Sequence, residues 1–224
     1  MPSRSRFPWQ RDPRSGWLLV VLFAAALFGL VAVAALVSPA LDRVDAWISE
    51  AIRSLGSGGL APIMKVITFL GSSTFVTAAT IAVGIWMIVK RRLDAVVYLI
   101  ATVPIGYAVA RALQELIGRE RPQGVNLVPL PHQYALPRGH TVAASLFCGA
   151  VAVIVVLGTS SSTVKKWAVA LPVVVPFLVG ISRVYLGVHW FGDVLAAWLY
   201  SLAWWGLTTS VYLGVVARRQ EVPR

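Results

Sequence analysis

Three side chains able to do chemistry, Arg183, His189 and Asp193, fall within the twelve residues Ser182–Asp193. The stretch reads Ser-Arg-Val-Tyr-Leu-Gly-Val-His-Trp-Phe-Gly-Asp. His189 and Asp193 are four apart, and in a helix that spacing puts both on one face, within hydrogen-bonding reach. A carboxylate on one imidazole nitrogen fixes the tautomer and leaves the other to act as nucleophile or base. Arg183 offers a planar fork of donors suited to a phosphate or a carboxylate. The same residues also fit a metal site, an inert polar cap at a helix start, or a proton or ion pathway. A polar cluster between two membrane-length apolar runs is costly to place, which points to a function.

The elements that must position this cluster are apolar. The chain has 224 residues, is 58% hydrophobic and only 13% charged, with a mean hydropathy of +0.75. Soluble domains are roughly 45–50% apolar and about 25% charged. The composition therefore predicts an all-α membrane protein with its helices in one bundle. The single cysteine, Cys148, excludes an internal disulfide. The net charge of +11 follows membrane topology rather than a nucleic-acid surface.

Residues 1–16 form a basic tail with Arg4, Arg6, Arg11 and Arg14. Trp17–Val37 is an uncharged run of 21 residues, long enough to span a bilayer and too long for the core of a signal peptide. Between Leu41 and Leu55, apolar residues recur at helical spacing among charged ones. This predicts an amphipathic helix at the membrane surface, a structural lid or brace. Leu60–Leu70 reads as a second short interfacial segment. Further spans are expected at 72–89, 93–117, 141–157, 167–181 and 194–216, with a basic tail over 218–224. The division is thus two tails around one six-span domain, 17–217.

Six spans put both termini on one side, joined there by Lys90–Arg92 and Lys165–Lys166. That side holds 12 of the 20 Lys and Arg residues, which makes it cytoplasmic. The opposite side receives the short interfacial helices, the loop 118–140 and the Ser182–Asp193 cluster. All three histidines, His132, His140 and His189, fall there too. Arg119, Arg121, Arg138 and Arg183 share that surface. Arginines around two histidines suit a multiply charged anion, and guanidiniums repel a divalent cation. Two histidines and a carboxylate suit phosphoryl transfer, with one imidazole attacking phosphorus and the other protonating the leaving oxygen. His132 reads as an ordinary loop histidine. Arg111 and Glu115, four apart, read as a structural charge ladder.

These residues resemble the type-2 phosphatidic acid phosphatase superfamily, whose motifs are Lys-x6-Arg-Pro, Pro-Ser-Gly-His and Ser-Arg-x5-His-x3-Asp. The third matches in full at Ser182, Arg183, His189 and Asp193, with the usual Gly187. The second matches at Pro137, Gly139 and His140, with Arg138 in place of Ser. The first matches at Arg121 and Pro122, with Gln114 in place of Lys. The resemblance implies that His189 is the nucleophile, Asp193 its orienting partner, and His140 the general acid that later activates water. It implies that Arg121, Arg183 and the Gly139 N–H hold the phosphate, with no metal and no other cofactor. Gln114 and Arg138 both fall on phosphate-binding positions, and Arg138 is expected to supply the charge that Gln114 lacks.

The expected partner is a membrane lipid in the bilayer, with no nucleic acid. The site should sit at the extracytoplasmic boundary of the cell membrane. Candidate substrates are a polyprenyl pyrophosphate, phosphatidylglycerophosphate, phosphatidate and a polyprenyl phospho-sugar. A lipid phosphotransferase, or a non-catalytic lipid-binding or transport protein on the same scaffold, are the alternatives.

Overall fold

A computed structural model describes residues 13–54, 59–118 and 139–221, and every regular element among them is a helix. In chain order these are α1 (Pro13–Val37), α2 (Pro39–Ser54), α3 (Ala61–Phe69), α4 (Ser73–Val89), α5 (Leu93–Ile100), α6 (Gly106–Ile117), α7 (Gly139–Gly158), α8 (Ser162–Tyr185) and α9 (Phe191–Glu221). A π-helical turn, Ala101–Ile105, joins α5 to α6. Six stretches among the described residues are long and apolar enough to cross a membrane. The protein is an all-α, multi-pass membrane protein, as its composition predicts. The tails over 1–12 and 222–224, and the loop residues 119–138, lie outside the described residues.

Within lipid, the apolar exterior gains nothing from burial, so packing and internal hydrogen bonds hold the helices together. Helix α7 is central. It packs on α4, α6, α8 and α9, while α1 runs along α9. One face of α7, with Val142, Leu146, Ala150 and Ile154, meets Tyr98, Leu99 and Val103 from the third span and Ala197 and Tyr200 from α9. Small residues allow the close approach. A Cβ added at Gly149 would lie 2.9 Å from the Trp205 ring. Trp204 and Trp205 are thus packing residues.

Pro104 has no N–H to give, and the π turn around it disturbs the helical ladder. Side chains of α9 bond to carbonyls in this turn and just after it. Trp204 Nε1 donates to Ala101 O at 3.1 Å, and Tyr200 OH donates to Gly106 O at 2.6 Å. Tyr98 OH and Thr209 Oγ1 lie 2.8 Å apart one turn further along. These bonds fix the third span against α9 where no water can substitute for them.

Two elements differ from the sequence reading. Helix α8 extends beyond the 167–181 run at both ends. Ser161 caps its start by accepting from Val164 N, and its last turn, with Ser182 and Arg183, is buried against neighbours. Segment 60–70 does form a short helix, but α3 and α4 read together as one apolar stretch broken by a turn at Leu70–Ser72. The short helix packs on α8.

Candidate active site

Helix α8 ends at Tyr185, and Gly187 adopts a left-handed φ of 78°. Residues with a Cβ resist that conformation, so glycine suits the reversal. The turn carries the chain to His189, and α9 begins two residues later at Phe191. His189 therefore precedes the helix instead of sharing a face within it. Asp193 sits in the first turn of α9. Its carboxylate reaches back to His189 Nδ1 at 3.2 Å and accepts from Trp190 N at 3.1 Å. Both side chains are fully buried, where polar groups need such partners. A carboxylate only accepts, so an Nδ1–H that donates to it fixes the tautomer and orientation of the ring.

Arg183 comes from the last turn of α8 and is 4% exposed. Its Nη1 donates to Thr68 Oγ1, at the end of α3, at 3.1 Å. The α3–α4 corner also reaches His140. A Cβ added at Gly71 would lie 2.7 Å from the His140 carbonyl oxygen and 2.7 Å from Val179 Cγ1. No side chain fits there, so the corner, the start of α7 and the end of α8 meet through glycine. The corner's own turn is closed by Gly71 N donating to Thr68 O at 3.0 Å. His140 and Arg183 thus flank one corner, on the same end of the bundle as His189.

Gly139 and His140 open α7, so their N–H groups belong to the set that has no partner within the helix and favours an anion. Tyr107 of α6 lies against Gly139, where an added Cβ would be 3.2 Å from its hydroxyl. Gln114 is buried near the end of α6, and its Oε1 accepts from Arg111 Nη1 at 2.8 Å. Arg111 thus pairs with Gln114, while Glu115 is exposed. The expected ladder from Arg111 to Glu115 is not the contact made. Arg119, Arg121, His132 and Arg138 lie outside the described residues.

Sequence reasoning missed Thr68, Gly71, Asp45 and Ser49. The last two, on α2, bond to the start of α9: Ser49 Oγ accepts from Phe191 N at 3.0 Å and Asp45 Oδ1 from Gly192 N at 2.8 Å. The available signal was a polar pair four residues apart inside an otherwise apolar stripe.

The family model described as the PAP2 superfamily matches residues 95–216, more than half of the chain. The chain belongs to the PAP2 superfamily. Phosphatidylglycerophosphatase B of Bacillus subtilis (strain 168) is 31% identical over 179 residues, covering 79% of this chain and 87% of that relative. A crystal structure of a transmembrane PAP2-type phosphatidylglycerolphosphate phosphatase from Bacillus subtilis superposes with a TM-score of 0.78 at 28% identity. It covers 91% of this chain and 98% of that one. An undecaprenyl-diphosphatase of Sulfolobus acidocaldarius is 41% identical over 73 residues, 33% of this chain and 31% of that relative. The PAP2 match takes in the complete Ser182–Asp193 motif and the start of α7.

Proposed function

We propose that this membrane lipid phosphatase hydrolyses a lipid phosphate or pyrophosphate through a phosphohistidine. The observation that carries the reading is the buried His189–Asp193 pair, 3.2 Å apart, with Arg183 on the adjoining helix end. His189 Nε2 attacks phosphorus, and the bond from phosphorus to the leaving oxygen breaks as His140 gives that oxygen a proton. His140 then takes a proton from water, whose oxygen attacks the phosphohistidine and breaks the P–N bond. Arg121, Arg138, Arg183 and the Gly139 N–H hold the phosphate oxygens as charge shifts among them. Gln114 contributes from the edge through its bond to Arg111. The step uses no metal, in keeping with a site whose charged donors are guanidiniums.

Substrate choice follows the relatives. Similarity over most of the chain to a phosphatidylglycerophosphatase supports a glycerolipid phosphomonoester such as phosphatidylglycerophosphate. The shorter match to an undecaprenyl-diphosphatase supports a polyprenyl pyrophosphate second. Phosphate release by the purified protein in detergent decides between them, with phosphatidate and a polyprenyl phospho-sugar completing the panel. Release from phosphatidylglycerophosphate is expected to be fastest, and EDTA should leave the rate unchanged. Activity that EDTA abolishes and a divalent metal restores contradicts this mechanism.

A site facing away from the cytoplasm, with both termini inside, is supported by Lys90–Arg92 and Lys165–Lys166, which lie at the end of the bundle opposite His189. Cysteines placed at Gln123 and Gln133 in a Cys148→Ala background should react with an impermeant thiol reagent on intact cells. Labelling of a cysteine in the 159–163 loop instead means the orientation is reversed.

A further inference from the structure

The residue that opens helix α9 offers no side-chain cap. The residue before it is Trp190, whose side chain has no oxygen to accept the first N–H groups. Ser, Thr, Asp or Asn ordinarily fill that position. Here one donor is met from the first turn of α9 itself and two from α2. Asp193 takes the Trp190 N–H, Ser49 takes that of Phe191, and Asp45 takes that of Gly192. The last two acceptors lie 142 and 147 residues away in sequence.

Asp45 and Ser49 are four apart, so one face of α2 presents both. They are 9% and 0% exposed, while Val44 and Trp47 on the outward side are 51% and 72% exposed. The buried face of this amphipathic helix therefore carries two acceptors for a helix start. A carboxylate there also meets the positive end of the α9 dipole. A third link comes from Arg53, whose guanidinium carbon lies 5.8 Å from the centre of the Trp190 ring. On the far side, Val188 and Leu186 pack with Ile52 of α2.

From this we infer that Asp45 and Ser49 are positioning residues for the phosphoryl-transfer step, a role that rests on the phosphohistidine reading. They cap α9 from α2 and so set where its first turn sits. That turn carries Asp193, which orients His189 Nδ1 at 3.2 Å. Both act from the α9 start, through the Phe191 and Gly192 N–H groups. Their effect reaches the reaction through the angle of the imidazole, where a displacement of about 1 Å is enough to cost roughly 100-fold in rate.

The test uses the full chain in detergent micelles, with dioctanoyl phosphatidate as the probe and phosphohistidine trapped by rapid quench. Asp45→Ala and Ser49→Ala are each expected to lower kcat and the rate of phosphohistidine formation by roughly 10- to 100-fold, with KM within about twofold. Asp45→Asn keeps an oxygen that accepts from Gly192 N, and should retain kcat within about threefold. Arg43→Ala, on the exposed side of the same helix, should match the parent. If the alanine variants do not fold, Asp45→Glu supplies the decision, because it keeps charge and acceptor but moves them by one methylene. It should lower kcat roughly tenfold with KM unchanged.

Two results overturn the inference. One is a parental kcat in Asp45→Ala, or in Asp45→Glu should the alanine variants not fold. The other is an Asp45→Asn variant as slow as Asp45→Ala, which makes the charge and not the cap responsible. His189→Ala, measured alongside, separates this from the reading beneath it. Full turnover in His189→Ala ends the phosphohistidine mechanism, whereas an inactive His189→Ala with a parental Asp45→Ala ends the capping role alone.

Discussion

Replacing His189 by alanine is expected to lower turnover by on the order of 10⁴-fold or more, the scale seen when a nucleophile is removed from a preorganised site. The loss should fall on kcat, because the phosphate-binding groups remain and the attacking atom does not. His140→Ala should behave differently. Without the general acid a poor leaving oxygen cannot depart, and without the base the phosphohistidine cannot be hydrolysed. A substrate with a good leaving group, such as a nitrophenyl phosphate, needs no protonation to leave. His140→Ala should therefore accumulate label on His189 from that substrate while releasing phosphate slowly. Equal labelling of the His189→Ala protein would show that another residue carries the phosphoryl group.

Removal of the Arg183 guanidinium should have the next largest effect. Arg183 is 4% exposed and tied to Thr68, so it is already desolvated and oriented before substrate arrives. Preorganised donors of this kind are worth on the order of 10²–10³-fold in rate. Arg183→Ala is expected to lose about that much in kcat/KM. Arg183→Lys keeps a charge but loses the fork that fits two phosphate oxygens, and should recover only part of the loss. Thr68→Val removes the acceptor that orients the guanidinium, and a fall of roughly 10- to 100-fold is expected, the scale of one hydrogen bond to a charged group. A kcat/KM in Arg183→Ala within about threefold of the parent means that Arg183 serves the fold and not the phosphate.

Six apolar runs, their charge asymmetry and the Ser182–Asp193 motif are local patterns, and each was legible in the sequence. Hydropathy over about 20 residues decides whether a segment can cross a bilayer, whatever its neighbours do. The four-residue spacing of His189 and Asp193 likewise brings the two side chains together over a short stretch of chain. Even so, His189, two residues before α9, and Asp193 in its first turn meet across a helix boundary, which Gly187 and not helical periodicity creates.

The rest was decided by tertiary structure. Arg183 meets Thr68 across 115 residues, and Gly71 receives the His140 carbonyl because three helix ends converge there. Arg111 turns to Gln114 rather than Glu115, although both spacings occur on the surface of an isolated helix. The amphipathic pattern of α2 predicted a surface helix but not which side would meet protein. Its polar residues Asp45 and Ser49 face inward, where they accept from the Gly192 and Phe191 N–H groups at the start of α9. An unpaired N–H is costly to bury wherever its acceptor comes from. Sequence spacing therefore fixed which residues belong to the motif, and the unmet hydrogen bonds of a helix start, visible only once the helices are assembled, fixed what holds it in place.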